Sequence, residues 1–331
     1  MSLVKKILIS GQRFWLIILF LSPNYNLFAQ QSIQFSQYVF NGIILNPAYS
    51  GYRENTNAEL QYRTQWTGID GGPKTTTFAL DGVSRNLLNG LGFEVISDHL
   101  GAQSNLQFDI SYALRIKIGE TSRLSFGLAT GYSLLKIDGN LLTTLDPSEN
   151  LSSQTANTSL PDLKFGIFYA SDRYFIGFSA INLLSNAFTY NPSFYFIKPT
   201  RNYYLIMGGL YPLSRNLTLK PSLLLKEDFN SSVNMDFNLF FLFAEKFWIG
   251  GSYRTGLNFT NPNNSGTQNT QITDNYSVMT EFYLNSRFRL GYSYDFTSSA
   301  AQSIVGGTHE ISLGVQIGNW YHHHLQNPRL F

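Results

Sequence analysis

Cysteine is absent from this sequence, and charged residues are few. Without cysteine the chain has no disulfide bond, no thiol nucleophile, no cysteine-ligated metal and no cysteine to carry a lipid anchor. Charged residues make up 13% of the chain, against about 25% in typical soluble domains. The formal net charge is +2, and lysine and arginine form no cluster typical of a nucleic-acid-binding face. We therefore expect no cofactor and no nucleic-acid partner.

Long apolar runs are also missing beyond the amino-terminal region. No such run approaches the roughly 18 residues that a membrane-spanning helix requires, whereas aromatic residues make up 15% of the chain. Low charge, many aromatic residues and no spanning helix together are typical of transmembrane β-strands.

The amino-terminal region has the order of a secretory signal peptide. Basic residues precede a short apolar run at 14–21, and a polar stretch then ends at the small residue Ala29. This order predicts a signal peptide over residues 1–29 and a mature chain that begins at Gln30. We expect the protein to function in the bacterial outer membrane, in contact with its lipids.

Alternation of apolar and polar residues is clearest over residues 105–118. Every even position from 106 to 118 is Leu, Phe, Ile or Tyr, while the odd positions include Asp109 and Arg115. A strand places these two sets on opposite faces, so one face meets an apolar medium and the other a polar one. We expect a lysine at Ile110 to cost about 2–4 kcal/mol and one at Ser111 much less.

The same alternation predicts fourteen strands. They are expected near residues 57–66, 74–83, 91–97, 105–118, 123–136, 163–170, 174–181, 202–211, 217–226, 232–242, 247–256, 275–284, 288–297 and 309–318. An even number suits a single-chain bacterial barrel. The predicted fold is therefore an all-β, transmembrane antiparallel β-barrel over residues 57–318. A soluble β-sandwich is the alternative, because its strands also alternate when one sheet face is buried.

Connection lengths provide an independent indication of a barrel. Counted from the first strand, the even connections are short, whereas the odd ones include the long segments 137–162, 182–201 and 257–274. Outer-membrane barrels have short periplasmic turns and longer outer loops. The alternation therefore favours the barrel over the sandwich, and it places the even connections in the periplasm.

The polar phase of the strands predicts which charges line the lumen. The expected basic residues are Arg63, Arg115, Lys117, Lys164, Lys220, Lys226, Arg254 and Arg289, and the expected acidic ones are Glu59, Asp81, Glu94, Asp98, Asp109, Asp236, Glu281, Asp295 and Glu310. Because the two signs nearly balance, the pattern favours cross-linked ion pairs over a strongly ion-selective channel. A mixed, hydrated lining fits the same pattern.

Two histidine-containing stretches are candidate chemical sites. Asp98 and His99 are expected in the loop after the third strand, but neighbours in an extended chain point to opposite faces. The run 322–324 consists of three histidines, which cannot converge on one ion without a special turn. We therefore expect no catalytic, cofactor or metal site, and no enzymatic activity.

The two ends of the mature chain extend beyond the predicted barrel. Residues 30–56 are too long for a simple leader, and Asn46-Pro47 favours a turn, so this segment is expected to plug the lumen or cap the periplasmic mouth. A disordered leader is the alternative. Residues 319–331 form a periplasmic tail, in which Pro328, Arg329 and Phe331 are candidate partner-binding residues.

Two short motifs carry a resemblance to a known family. The first motif comprises Asn46, Pro47, Ala48, Tyr49, Ser50 and Gly51, and the second, expected on the first strand, comprises Tyr62, Arg63, Gln65 and Trp66. With these motifs the mature chain resembles the PorP/SprF family of outer-membrane proteins in the type IX secretion system of the Bacteroidetes.

The resemblance implies a role in protein secretion and gliding motility. It implies non-enzymatic support for the export and surface attachment of a cognate protein with a C-terminal sorting domain, such as a gliding adhesin. It also implies a periplasmic ring lipoprotein as a partner. A core secretion component and a substrate-specific paralogue both fit, and a passive porin or small-molecule uptake channel is the alternative function.

Overall fold

The computed structural model describes most of the chain between residues 34 and 317. The described residues are 34–141, 155–185, 187, 199–229, 232–257, 275–296 and 306–317. The predicted signal peptide and the predicted tail with Pro328, Arg329 and Phe331 lie outside the described residues. Within those residues, no helix has the length and hydropathy of a membrane-spanning segment.

The described chain folds into a closed antiparallel β-barrel. Its strands are β1 Thr56–Thr64, β2 Lys74–Val83, β3 Asn89–Leu100, β4 Gln103–Lys117, β5 Arg123–Asp138, β6 Thr155–Ala170, β7 Tyr174–Ile181, β8 Asn202–Gly209, β9 Tyr211–Ser214, β10 Leu217–Glu227, β11 Val233–Phe243, β12 Phe247–Leu257, β13 Asn275–Tyr283, β14 Phe288–Phe296 and β15 Thr308–Ile317. Each strand pairs with its neighbours, and β15 pairs with β1 to close the sheet. Because β8 and β9 pair with successive parts of β10, they form one interrupted strand, and the barrel has fourteen strands. The predicted fold class is confirmed.

The two faces of the barrel follow the alternation in the sequence. On β1, Leu60 and Tyr62 point outward and are 48% and 46% exposed, whereas Glu59 and Arg63 point inward and are buried. On β4, Ile110 is 61% exposed. An apolar outer face and a polar inner face are the arrangement that a barrel in lipid requires, because lipid surrounds only the outside.

Two ends of the barrel are distinguished by their connections. The turn side carries the short connections 84–88, 118–122, 171–173, 215–216, 244–246 and 284–287, and the loop side carries the others. Strand β1 begins on the turn side and β15 ends there. Short connections of transmembrane barrels face the periplasm, so the loop side faces the cell exterior.

Strand ends on the loop side differ from the prediction mainly at the end of β1, at the β3–β4 hairpin and at the start of β6. Strand β1 ends at Thr64, because Trp66 adopts a left-handed conformation with φ of 53°, so Gln65 and Trp66 lie in the connection. Strands β3 and β4 are joined by only two residues, since Gly101 takes a positive φ of 56° in a tight hairpin. Asp98 and His99 therefore lie on β3, and the expectation that they lie in a loop was wrong.

Strand β6 begins earlier than predicted. It begins at Thr155 and not at 163, so the preceding connection is shorter than expected. Residues 155–162 contain Pro161, and their sequence predicts a loop. Among the described residues, β7 pairs with β6 only from Phe165 onward, so Pro161 lies at an edge, where a missing N–H is tolerated.

The chain before the first strand lies inside the barrel. We call residues 34–55 the lumen segment. It contains three 3-10 helices, Gln37–Val39, Gly42–Ile44 and Pro47–Tyr49, and nearly all of its residues from 35 to 52 are buried. Its apolar side chains pack against inward-facing residues of the wall, among them Phe168, Phe240 and Trp248.

Candidate functional site: the lumen segment and its seat

The lumen segment runs through the barrel from the loop side towards the turn side. At its start, Arg254 Nη1 donates to Gln34 Oε1 at 2.9 Å, and Arg254 lies in the loop-side half of β12. Near its end, Gly51 N donates to Asp81 Oδ2 at 2.8 Å, close to the turn-side end of β2. Strand β1 then begins at Thr56 on the turn side. The segment therefore occupies the lumen over much of its length.

A buried ionic cluster holds the start of the lumen segment. Arg63 Nη1 lies 2.8 Å from Glu310 Oε2, and Arg63 Nη2 lies 2.7 Å from Asp295 Oδ2. The backbone N–H groups of Ser36 and Gln37 both donate to the Glu310 carboxylate at 3.0 Å. Two carboxylates, one guanidinium and two backbone donors thus join β1, β14 and β15 to the segment.

The middle of the lumen segment is held by the first sequence motif. The side-chain oxygen of Asn46 accepts from Ala48 N at 2.9 Å and so caps the Pro47–Tyr49 helix. Its amide nitrogen donates to the carbonyl oxygens of Ile167 and Phe178 at 3.0 and 3.2 Å. Asn46 therefore caps the helix and also anchors it to β6 and β7.

Glycines in the wall create the space for this motif. A Cβ atom at Gly127 would collide with the backbone of Ala48, and one at Gly166 would collide with the Asn46 side chain. A Cβ atom at Gly90 would meet the carbonyl of Ser50. We call Gly90, Gly127 and Gly166 the glycine seat. Because glycine lacks Cβ, the wall can approach the segment at backbone contact distance.

The turn-side end of the lumen segment is fastened by ion pairs. Glu54 Oε1 lies 3.3 Å from Arg115 Nη2 and 3.0 Å from Arg123 Nε. Arg53 donates to the carbonyl oxygen of Phe40 and lies 3.7 Å from Glu59 Oε2. These contacts join the end of the segment to β1, β4 and β5 and to its own first half.

Several of the remaining inward charges also form ion pairs. Lys164 Nζ lies 2.7 Å from Asp109 Oδ2 and 3.6 Å from Glu94 Oε2. Arg289 pairs with Glu59 and with Glu281. Further contacts are Arg254 with both Asp236 oxygens at 2.7 and 2.8 Å, and Lys220 Nζ donating to the Val39 carbonyl at 3.1 Å while lying near the rings of Phe40 and Trp248. Lys164, Arg254 and Arg289 are therefore each neutralised by a carboxylate at short range.

The structure gives a position to each predicted lumen charge. Buried ones are Glu59, Arg63, Asp81, Glu94, Asp109, Arg115, Lys164, Lys220, Asp236, Glu281, Arg289, Asp295 and Glu310, and half-buried ones are Asp98, Lys226 and Arg254. Lys117 differs, because it ends β4 on the turn side and is exposed. The sequence reading missed Arg53, Glu54 and Asp162. Arg53 and Glu54 belong to no strand, and Asp162 lies in the part of β6 that the sequence predicts to be a loop.

The second sequence motif is divided between three environments. Tyr62 faces outward, and Arg63 joins the buried cluster at the start of the lumen segment. Gln65 N donates to the Pro73 carbonyl at 2.9 Å, and Trp66 lies exposed in the connection that follows β1. Only Arg63 of this motif therefore contacts the lumen segment directly.

Apolar packing and ion pairs hold the lumen segment inside the barrel. A cavity of about 30 Å³ lies between the segment and β6, β7, β8 and β10, lined by Tyr49, Phe168 and Phe175 among others. It has room for roughly two water molecules. Among the described residues, no group of three or more His, Asp or Glu side chains is arranged to hold a metal ion. The buried Tyr38 hydroxyl accepts from Asn238 Nδ2 at 2.9 Å.

Comparison with known proteins gives one family match. The model of the family described as type IX secretion system membrane protein PorP/SprF matches residues 27–315. A search of curated proteins finds no match.

Solved structures similar to this chain are outer-membrane barrels of low sequence identity. A FadL homologue of Pseudomonas aeruginosa is 12% identical, with 87% of this chain and 95% of that chain covered and a TM-score of 0.45. Omp33 of Acinetobacter baumannii is 7% identical, with coverages of 80% and 98% and a TM-score of 0.44. The KdgM porin is 8% identical, with coverages of 79% and 99% and a TM-score of 0.38.

Proposed function

The chain belongs to the PorP/SprF family of type IX secretion system membrane proteins, and from this premise we propose that it is a sealed, non-enzymatic anchoring barrel. In this proposal the barrel supports export and surface attachment of a cognate secreted protein. Its place is the bacterial outer membrane. The observation that carries the proposal is the lumen segment, which lies buried inside a barrel of this family.

The packing of the lumen segment supports sealing over diffusion. A diffusion channel needs a continuous hydrated path lined by charges that select its solutes. Here many of the described inward charges are buried in ion pairs, and the segment contacts the wall on strands from β1 to β15. Breaking such buried pairs leaves uncompensated charges, at a cost of about 3–5 kcal/mol each. The segment is therefore fixed in place by several independent contacts.

The proposal for the cognate partner rests on the family resemblance. We propose a secreted protein with a C-terminal sorting domain, such as a gliding adhesin, together with a periplasmic ring lipoprotein. The tail residues Pro328, Arg329 and Phe331 are the proposed periplasmic contact. Deletion of residues 327–331 should then preserve membrane insertion and heat-modifiable migration on gels but abolish surface display of the partner. Loss of assembly in this variant would refute the tail's partner role.

Conductance in planar bilayers tests the sealing. The mature protein should conduct poorly, and a variant lacking residues 30–50 should conduct well, because removal of this stretch empties the lumen. Conductance of the intact protein comparable to that of a general porin would contradict the proposal.

A gene deletion in the native host tests the secretion role. Cells without the chain should lose at least one surface protein from the cell exterior while retaining uptake of small solutes. Reduced uptake with an unchanged surface proteome would instead establish a diffusion channel.

A further inference from the structure

Basic side chains surround the barrel on its turn side. Each of the six short connections carries or adjoins an exposed lysine or arginine. These residues are Arg85, Lys117, Arg173, Arg215, Lys246 and Arg287, and we call them the basic ring. Because the connections alternate around the whole circumference, the ring encloses the barrel and does not mark a single sector.

The loop side has the opposite charge balance. The short connections and the strand residues flanking them carry seven basic residues and three acidic ones, Glu120, Asp172 and Glu245. The loop-side connections and the strand residues flanking them carry three basic and seven acidic residues. The excess of positive charge is therefore specific to the periplasmic end of the barrel.

The basic ring differs from the lysines and arginines of the lumen in its partners. Inward-facing Arg63, Lys164 and Arg289 are buried in ion pairs. Among the described residues, no carboxylate lies within ion-pair distance of any member of the basic ring. Six exposed cations at one end of the barrel, none of them in an ion pair with a described residue, favour an anionic ligand from outside the chain.

Each member of the basic ring lies within three residues of a large, exposed apolar side chain. These apolar residues are Leu88, Ile118, Tyr174, Leu213, Phe243 and Phe288, all between 41% and 55% exposed. An apolar side chain in the acyl region beside a cation at headgroup level is the arrangement of a membrane–water interface. A protein partner would cover one sector, whereas lipid meets the entire circumference.

We propose that the basic ring binds the phosphate groups of phospholipids in the periplasmic leaflet of the outer membrane and favours anionic headgroups. Arginine and lysine are suited to this task, because their stems lie along the apolar belt while their cationic ends reach the phosphates. The proposal is independent of the secretion role, since it concerns only the contact between barrel and membrane.

Spin-labelled lipids in reconstituted vesicles test the proposal. The mature protein is inserted into phosphatidylcholine vesicles, and electron paramagnetic resonance measures how strongly labelled phosphatidylglycerol, relative to labelled phosphatidylcholine, associates with the barrel. The intact protein should prefer the anionic lipid roughly twofold to fivefold, and 1 M salt should reduce this preference because it screens exposed charges.

Matched variants assign the preference to the basic ring. Changing all six members to glutamine should abolish it, and the pair Arg215→Gln and Lys246→Gln should reduce it in part if the sixfold variant fails to fold. The control pair Lys74→Gln and Lys136→Gln removes two exposed loop-side charges. This pair should leave the preference for the anionic lipid unchanged. Folding is checked first by heat-modifiable migration on gels.

Two outcomes would overturn the proposal. An intact protein without preference for the anionic lipid would do so, as would a preference that survives in both basic-ring variants. Retention of an acidic periplasmic protein by the basic ring, without any lipid preference, would assign the ring to a protein partner instead.

Discussion

Arg63 on β1 and Glu310 on β15 form an ion pair of 2.8 Å across the two strands that close the barrel. The same carboxylate accepts from the backbone of Ser36 and Gln37. Closure of the barrel and docking of the lumen segment therefore depend on one buried carboxylate. A guanidinium at this position serves both, because its planar donors reach Glu310 and Asp295 together.

Substitution of Arg63 should destabilise the folded barrel. Arg63→Gln leaves the buried carboxylates of Glu310 and Asp295 without their cation, and we expect a loss of about 3–5 kcal/mol in the free energy of unfolding. Urea unfolding in detergent or vesicles measures it. Lys136→Gln, at an exposed outward position, should change stability by less than about 0.5 kcal/mol. Equal effects of both changes would show that the cluster contributes nothing.

Alanine in the glycine seat should loosen the lumen segment. In Gly127→Ala the new methyl group overlaps the backbone of Ala48, and such overpacking costs about 1–3 kcal/mol. The variant should unfold at lower temperature and show greater conductance in planar bilayers. Gly119→Ala is the matched control, since its Cβ would meet Ser122 at an ordinary 3.4 Å. Unchanged conductance in Gly127→Ala would mean that the seat does not hold the segment.

Lysine at either of two adjacent positions of β4 should destabilise the barrel, but for different reasons. Ile110→Lys places a charge in lipid and should cost about 2–4 kcal/mol. Ser111→Lys should also be costly, because Ser111 Oγ lies 2.7 Å from Ser50 Oγ of the lumen segment. Deletion of residues 30–50 should remove most of the Ser111→Lys penalty and leave the Ile110→Lys penalty unchanged. A double-mutant cycle by urea unfolding measures both, and a persistent Ser111→Lys penalty would contradict this account.

The mature amino terminus should be accessible from the cell exterior. Gln34 lies in the loop-side half of the lumen beside Arg254, and residues 30–33 span at most about 14 Å. A cysteine replacing Gln31 should react with a membrane-impermeant maleimide added to intact cells, whereas one replacing Asn86 on a turn-side connection should not. Labelling of the Asn86 variant alone would reverse the direction of the lumen segment.

Strand positions were largely predictable because alternation is a local property. Strands β2, β7, β10 and β12 begin and end within one residue of their predicted limits. The errors occurred where one residue changes the backbone or its pairing. Gly101 allows a two-residue hairpin that joins β3 to β4, and Pro161 lies in β6 at an edge among the described residues. Neither effect appears in a polar–apolar pattern.

The sequence did not predict which charged residues pair with one another. Arg63, Asp295 and Glu310 were each predicted to face the lumen, but they meet only because β14, β15 and β1 are adjacent after closure. Glu54 showed no strand pattern, yet it fastens the lumen segment to Arg115 and Arg123. Contacts between residues far apart in sequence depend on register, which the closed sheet determines.

The sequence by itself determined the barrel, its two faces and its membrane location, because period-two alternation and composition act residue by residue. Only the tertiary structure decided how the lumen is filled. The motif from Asn46 to Gly51 does not indicate its own binding site, since Gly127 and Gly166 become its seat only when β5 and β6 pair in register. The fold also places Ser111 against Ser50. Alternation alone predicts that Ser111 tolerates a lysine, whereas the structure shows a packed contact at this position.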